Sequence, residues 1–141
     1  MNATLLDNRA NPRDRPRMVV NLISVAFGGT LGACLRYLAG IGIMRFFGPG
    51  FPVGMIVVNI VGSFLMGVFV VVAAQRNLTH LSPLVMTGLL GGFTTFSAFS
   101  LETVTLFQRG QIGGAATYVV ISVFGSLAAI LIGMWAARGV L

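Results

Sequence analysis

Charge is scarce in this chain. Only 9% of its 141 residues are charged: three acids (Asp7, Asp14, Glu102), nine arginines and no lysine. Soluble domains carry about 25% charged residues, so a water-facing surface cannot be assembled here and a soluble globule is excluded. The one cysteine, Cys34, excludes an intrachain disulfide, and with the one histidine, His80, it supplies too few ligands for a metal framework. Cys34 reads as a small core residue, and His80, in the polar stretch from Gln75 to His80, as a loop residue. No Ser/His/Asp set, paired catalytic carboxylates or phosphate-cradling glycine loop is present, and the sequence reads as a non-enzyme.

Apolar residues and glycine are abundant instead: 56% hydrophobic, a mean hydropathy of +0.93 and 19 glycines. A span that crosses the hydrocarbon core needs about 20 such residues, which fits four spans joined by short loops. They are expected over Met18 to Phe46, Val53 to Ala74, Pro83 to Phe107 and Gly113 to Ala137, with turn chemistry at Gly48-Pro49-Gly50 and at Gln108-Arg109-Gly110. The organisation is a disordered basic tail, residues 1–17, followed by one four-helix transmembrane domain, residues 18–141. The first apolar run continues for a full span, so it reads as a retained helix and not as a cleaved signal. The tail carries Arg9, Arg13, Arg15 and Arg17 beside Asp7 and Asp14. Without a folded basic face or an aromatic platform it suits an anionic lipid surface and not a nucleic acid.

Small residues recur at four-residue spacing: Gly28 and Gly32, Ser63 and Gly67, Gly88 and Gly92, and Gly125, Ala129 and Gly133. That spacing lines one face of each helix with side chains that let backbones approach closely. Four spans place both ends of the chain on one side. The tail arginines, Arg76 and Arg138 share that side, Arg45 and Arg109 take the other, and Arg36 lies inside the membrane near the latter. With the tail counted, the positive-inside rule puts the ends in the cytoplasm. Without it the loops balance two against two.

Polar groups inside the spans need partners, because an unsatisfied one in hydrocarbon costs several kcal/mol. Asn59 lies near the middle of the second span, and an interhelical hydrogen bond and a functional role are level readings of it. The third span carries Gly91-Gly92-Phe93-Thr94-Thr95-Phe96-Ser97-Ala98-Phe99-Ser100 at its centre. Two glycines and two β-branched threonines make a poor helix, so a break near the midplane is expected, freeing carbonyls that favour a cation. Phe96 and Phe99, three apart, share a face, and aromatic edges with amides and hydroxyls can solvate a dehydrated anion. Tyr118, Ser122 and Ser126 form a hydroxyl stripe on the fourth span and, with Asn59, Thr94 and Thr95, suggest a polar track. Arg36 and Glu102 are the ionisable residues well inside the spans, roughly 10 and 8 Å from the same membrane face. Pairing, snorkelling and vestibule positions are all open to them.

On these residues the chain resembles the Fluc/CrcB family of fluoride channels. The match runs from about Val19 to Arg138 and is carried by Gly28-Gly29-Thr30-Leu31-Gly32-Ala33 with Arg36-Tyr37, by Val58-Asn59-Ile60-Val61-Gly62-Ser63-Phe64, and above all by Gly91-Gly92-Phe93-Thr94-Thr95-Phe96-Ser97-Ala98-Phe99. The resemblance implies an antiparallel, dual-topology homodimer with two fluoride pathways and a structural sodium ion on the two-fold axis. It implies carbonyls of Gly91 and Thr94 on that sodium, an aromatic box of Phe96 and Phe99, Asn59 as the pore amide, Ser122 and Ser126 in the polar track, and Glu102 near a vestibule. Arg36 matches the family's first-span arginine, with a structural or anion-attracting role. Two features depart from the pattern: Ala98 stands where a hydroxyl is common between the phenylalanines, and the basic tail biases orientation.

The resulting expectation is a channel in the inner (plasma) membrane that exports fluoride passively from a microbial cytoplasm. A small four-helix coupled exporter is the first rival, but proton coupling wants a central acid, and Glu102 lies off-centre. A nontransporting assembly subunit is the second, and it leaves the midplane Gly/Thr/Phe cluster without purpose. Met18 stands where the polar tail ends, and translation is expected to start there; an N-terminal mass from native protein that includes residues 1–17 would overturn this.

Overall fold

The computed structural model describes residues 14–48 and 50–140, and every regular element among them is helical. In chain order these are α1 (Asp14–Phe47), α2 (Val53–Gln75), a 3-10 turn (Thr79–Leu81), a π-helical segment (Pro83–Leu90), α3 (Gly91–Phe93), α4 (Phe96–Gln108) and α5 (Ile112–Val140). They build four spans long and apolar enough to cross a membrane, the third assembled from the pieces between Thr79 and Gln108.

The first span starts at Asp14, ahead of the expected Met18. Pro16 falls in its first turn, where a missing N–H removes no helical hydrogen bond, so the proline does not stop the helix from entering the basic segment. Residues 1–13 of the expected tail lie outside the described residues. At the other end Gly48 adopts φ +77°, a conformation that suits glycine, and its N–H closes on the Met44 carbonyl at 2.9 Å.

The third span breaks, but not at its glycines. Gly91 and Gly92 stay helical, and the extended residues are Thr94 (φ −82°, ψ 157°) and Thr95 (φ −153°, ψ 125°). The glycines serve packing: a Cβ on Gly92 would lie 2.6 Å from the Gly29 carbonyl oxygen of α1. The π-helical turn ahead of them was not anticipated from the sequence. It begins at Pro83 and ends where the Gly91 N–H is shared between the carbonyls of Gly88 and Met86.

The break gives the two halves of the span different neighbours. The π-helical segment and α3 pack on α1, whereas α4 packs on α5, and α2 lies along α5. Small residues set these approaches: a Cβ on Gly32 would overlap the Leu89 carbonyl, one on Gly67 the Ile130 carbonyl, and one on Gly133 the Phe64 carbonyl. Side chains such as Phe27, Phe46, Phe96, Phe124 and Trp135 point outward, an arrangement stable only against lipid or another protein. The inner core is small, made of Ile56, Leu106, Ala115 and Tyr118, with Phe51, Met55, Ile60 and Phe99 packed against it.

Close approach therefore carries the fold. Gly32→Leu should cost at least the 1–3 kcal/mol typical of overpacking and lower the unfolding temperature in detergent. Gly42→Leu, at a position with nothing within 4 Å of an added Cβ, should leave it nearly unchanged; equal effects from the two substitutions would overturn the packing assignment.

Candidate functional site

Asn59 and Thr95 hold the broken span. The Thr95 N–H donates to Asn59 Oδ1 at 2.9 Å, and Asn59 Nδ2 donates to the Thr95 carbonyl at 3.2 Å. One side-chain amide thus satisfies both backbone groups of an extended residue. Of the two readings of Asn59, the interhelical bond is present, and one Nδ2 hydrogen stays available for a further contact. Thr95 Oγ1 accepts from Ala98 N at 3.2 Å as the N-cap of α4 and lies 3.1 Å from Ser97 Oγ. Thr94 Oγ1 donates back to the Leu90 carbonyl at 2.9 Å. The two threonine hydroxyls, expected in the polar track, are engaged in holding the ends of the break. On α2 the next turn is Gly62, where a Cβ would overlap Thr94 Cγ2, so the threonine seats directly on the α2 backbone.

Around this clamp lies a groove of about 460 Å³ whose walls include Asn59, Gly62, Ser63, Thr94, Thr95, Phe96, Phe99, Ser122 and Ser126. Seven of these are residues the sequence singled out for the ion path or the break. Phe96 and Phe99 meet with ring centroids 5.3 Å apart and planes at 42°. Phe99 stacks in turn on Tyr118 (5.5 Å, 23°), and Tyr118 meets Phe51 edge-on (5.9 Å, 84°). Tyr118 lies behind the groove in the inner core with 0% of its surface exposed. Its hydroxyl and that of Ser122, one helical turn further on, are both buried without a hydrogen-bond partner. Burying two hydroxyls with no partner within the chain is costly unless a ligand accepts hydrogen bonds from them.

Glu102 is elsewhere. It lines a second, smaller cavity of about 120 Å³ with Thr105, Arg109 and the Phe51–Met55 stretch. Arg36 lines neither cavity, and among the described residues no arginine pairs with a carboxylate within 4.0 Å. The similar depths expected from residue counting are not accompanied by an ion pair between Arg36 and Glu102. Gly91 is exposed at the outer side of the break. Phe51 in the aromatic column and Ser63 in the groove were not among the expected site residues.

Residues 23–134 match the family described as CrcB-like protein, Camphor Resistance (CrcB). The chain belongs to the CrcB family. A CrcB relative from a Ruegeria species, named fluoride-specific ion channel FluC, is 62% identical over 125 residues, covering 88% of this chain and 99% of its own. A relative of the same name from Cereibacter sphaeroides is 60% identical over 86% of this chain and 98% of its own, and one from Agrobacterium fabrum 46% identical over 85% and 98%. The CrcB match spans all the elements that form the groove.

Removing the clamp isolates its contribution. Asn59→Leu leaves the Thr95 N–H without its partner, which should cost about 1–3 kcal/mol and appear as a lower unfolding temperature in detergent. Unchanged stability would mean that the break holds itself.

Proposed function

We propose that this chain is a fluoride channel: a multi-pass protein of the cell membrane that lets fluoride leave the cytoplasm down its electrochemical gradient. The observation that carries the reading is the groove, where a spare amide N–H on Asn59, the unpartnered Ser122 hydroxyl and the Phe96–Phe99 pair converge without a fixed charge. Fluoride is small and strongly hydrated, so its water must be replaced by several donors at once. A lysine or arginine in the path would bind the ion too well to release it, whereas neutral donors and positive ring edges in series favour exit as well as entry. The name carried by the relatives from Ruegeria and Cereibacter supports the same ion.

The assembly is an antiparallel homodimer with two such paths. Phe96 is 77% exposed although it lies at the middle of its span, and the non-helical backbone of Thr94 and Thr95 beside it is only partly buried within this chain. Such backbone is tolerated at that depth only when protein covers it, and a second copy is the cover we infer. Balanced loop charges, Arg45 and Arg109 against Arg76 and Arg138, permit the two orientations.

The break also fits a cation. No backbone N–H bond crosses it to the Gly91 or Thr94 carbonyl among the described residues, and no group of three or more His, Cys, Asp or Glu side chains able to hold a metal lies among them. Neutral backbone oxygens from two facing breaks suit a hard monovalent ion. Gly91 and Thr94 are the residues that would hold sodium, which would neutralise the carbonyl dipoles on the two-fold axis.

Purified protein in liposomes loaded with fluoride or chloride tests the reading. Release of fluoride and retention of chloride are expected without any imposed proton gradient. Phe96→Ile and Asn59→Asp should each slow release at least about tenfold, the effect of losing one 1.4 kcal/mol contact in the rate-limiting step. Wild-type vesicles that hold fluoride as tightly as empty ones would end the channel reading.

A further inference from the structure

On the basis of the fluoride-channel reading, we infer that Ser63 is a further ion-contacting residue, extending the path one helical turn beyond Asn59 along α2. By spacing alone Ser63 belongs with Gly67 in a stripe of small packing residues. The structure separates them. Gly67 does the packing, since a Cβ there would overlap the Ile130 carbonyl. Ser63 instead lines the groove together with Ser126 and Leu127 of α5, on the face of α2 that also carries Asn59, Gly62 and Met66.

The hydroxyls of the bundle fall into two groups. Ser24, Thr30, Thr94, Ser100, Thr103 and Thr105 each donate to the carbonyl four residues earlier, at 2.8–2.9 Å. That is the ordinary way for a hydroxyl in an apolar helix to satisfy itself. No hydrogen bond among the described residues uses the hydroxyl of Ser63, Ser122 or Ser126. All three face the same groove, and Ser122 is 4% exposed with no hydrogen-bond partner within the chain. Thr87 and Thr117, both exposed, are the other mid-helix serine or threonine residues without such a bond among the described residues. The groove thus gathers serines whose protons are free to be donated.

Asn59 gives one Nδ2 hydrogen to Thr95 and keeps only one for an ion. A dehydrated anion there needs its next donors within about one helical turn, roughly 5.4 Å of rise. Ser126 supplies one from α5. Ser63, four residues after Asn59 on the same face, supplies the other from α2, so donors stand on both walls of the path.

The experiment uses the full chain in fluoride-loaded liposomes. Ser63→Ala removes one oxygen and keeps a helix-compatible side chain, and Ser100→Ala, whose hydroxyl is bonded to its own backbone, is the control. Wild type and Ser100→Ala should release fluoride alike, Ser63→Ala about tenfold more slowly with a raised half-saturating fluoride concentration, and Ser63→Thr should restore the rate. Size-exclusion profiles in detergent establish that each variant is folded. A silent wild type would defeat the channel reading itself. An active wild type with Ser63→Ala at its rate, or a slow Ser63→Ala that Ser63→Thr fails to restore, would overturn the role of Ser63 alone.

Discussion

Everything at the centre of this protein depends on the reciprocal pair between the Asn59 side chain and the Thr95 backbone. A helix interrupted in hydrocarbon leaves backbone groups that water cannot reach, each costing several kcal/mol. Thr95 is the residue whose N–H would otherwise be orphaned, and an asparagine amide, with an acceptor and donors in one plane, can serve its N–H and its carbonyl together. The neighbouring contacts follow from that one. With Thr95 extended, its hydroxyl starts α4 by accepting the Ala98 N–H. Thr94 is driven against Gly62, where only the absence of a Cβ leaves room. Once α4 is free of α3, it leans on α5 while the preceding turns stay on α1, and this divergence brings Phe96 and Phe99 to the groove.

The clamp also sorts the polar groups by duty. Thr94, Thr95 and half of the Asn59 amide are consumed by structure, and the free donors are the remaining Nδ2 hydrogen and the serine hydroxyls. On the channel reading, such a pathway would be rigid at the break and permissive where the ion passes. The Asn59 acceptor and the Thr95 carbonyl are already satisfied, and on the same reading the uncharged donors left over suit an anion that can form short hydrogen bonds and be given up again.

Much of this was legible in the sequence, for identifiable reasons. Four spans follow from length and hydropathy, because the bilayer fixes both. A break in the third followed from the clustering of Gly91, Gly92, Thr94 and Thr95, which are poor helix formers whatever surrounds them. The residue at which the helix opens was not legible, since propensity favours the glycines and the tertiary contacts of Gly92 with Gly29 and of Thr95 with Asn59 decide otherwise. The π-helical turn left no periodic signal, being a change of hydrogen-bond register and not of composition. Depth counting put Arg36 and Glu102 level but carried no information on azimuth. Spacing paired Ser63 with Gly67, and only the position of α5 reveals that one faces a groove and the other a backbone.

The two cavities share no lining residue. Phe99 and Ser122 line the groove, and Phe51 and Leu106 line the Glu102–Arg109 cavity. Between them stands the inner core, with Tyr118 and Leu106 almost wholly buried and the Tyr118 hydroxyl unpartnered within it. On the channel reading proposed above, an ion crossing from one to the other would pass this core, where the Tyr118 hydroxyl is the polar side-chain group. Dehydration would be most complete there, and a larger, more weakly hydrogen-bonded anion would gain least in return. The scarcity of charge that marks the sequence has its sharpest consequence there: a carboxylate or guanidinium at that wall would close it or hold the ion in it, and the nearest charges, Glu102 and Arg109, stand outside on the cavity side.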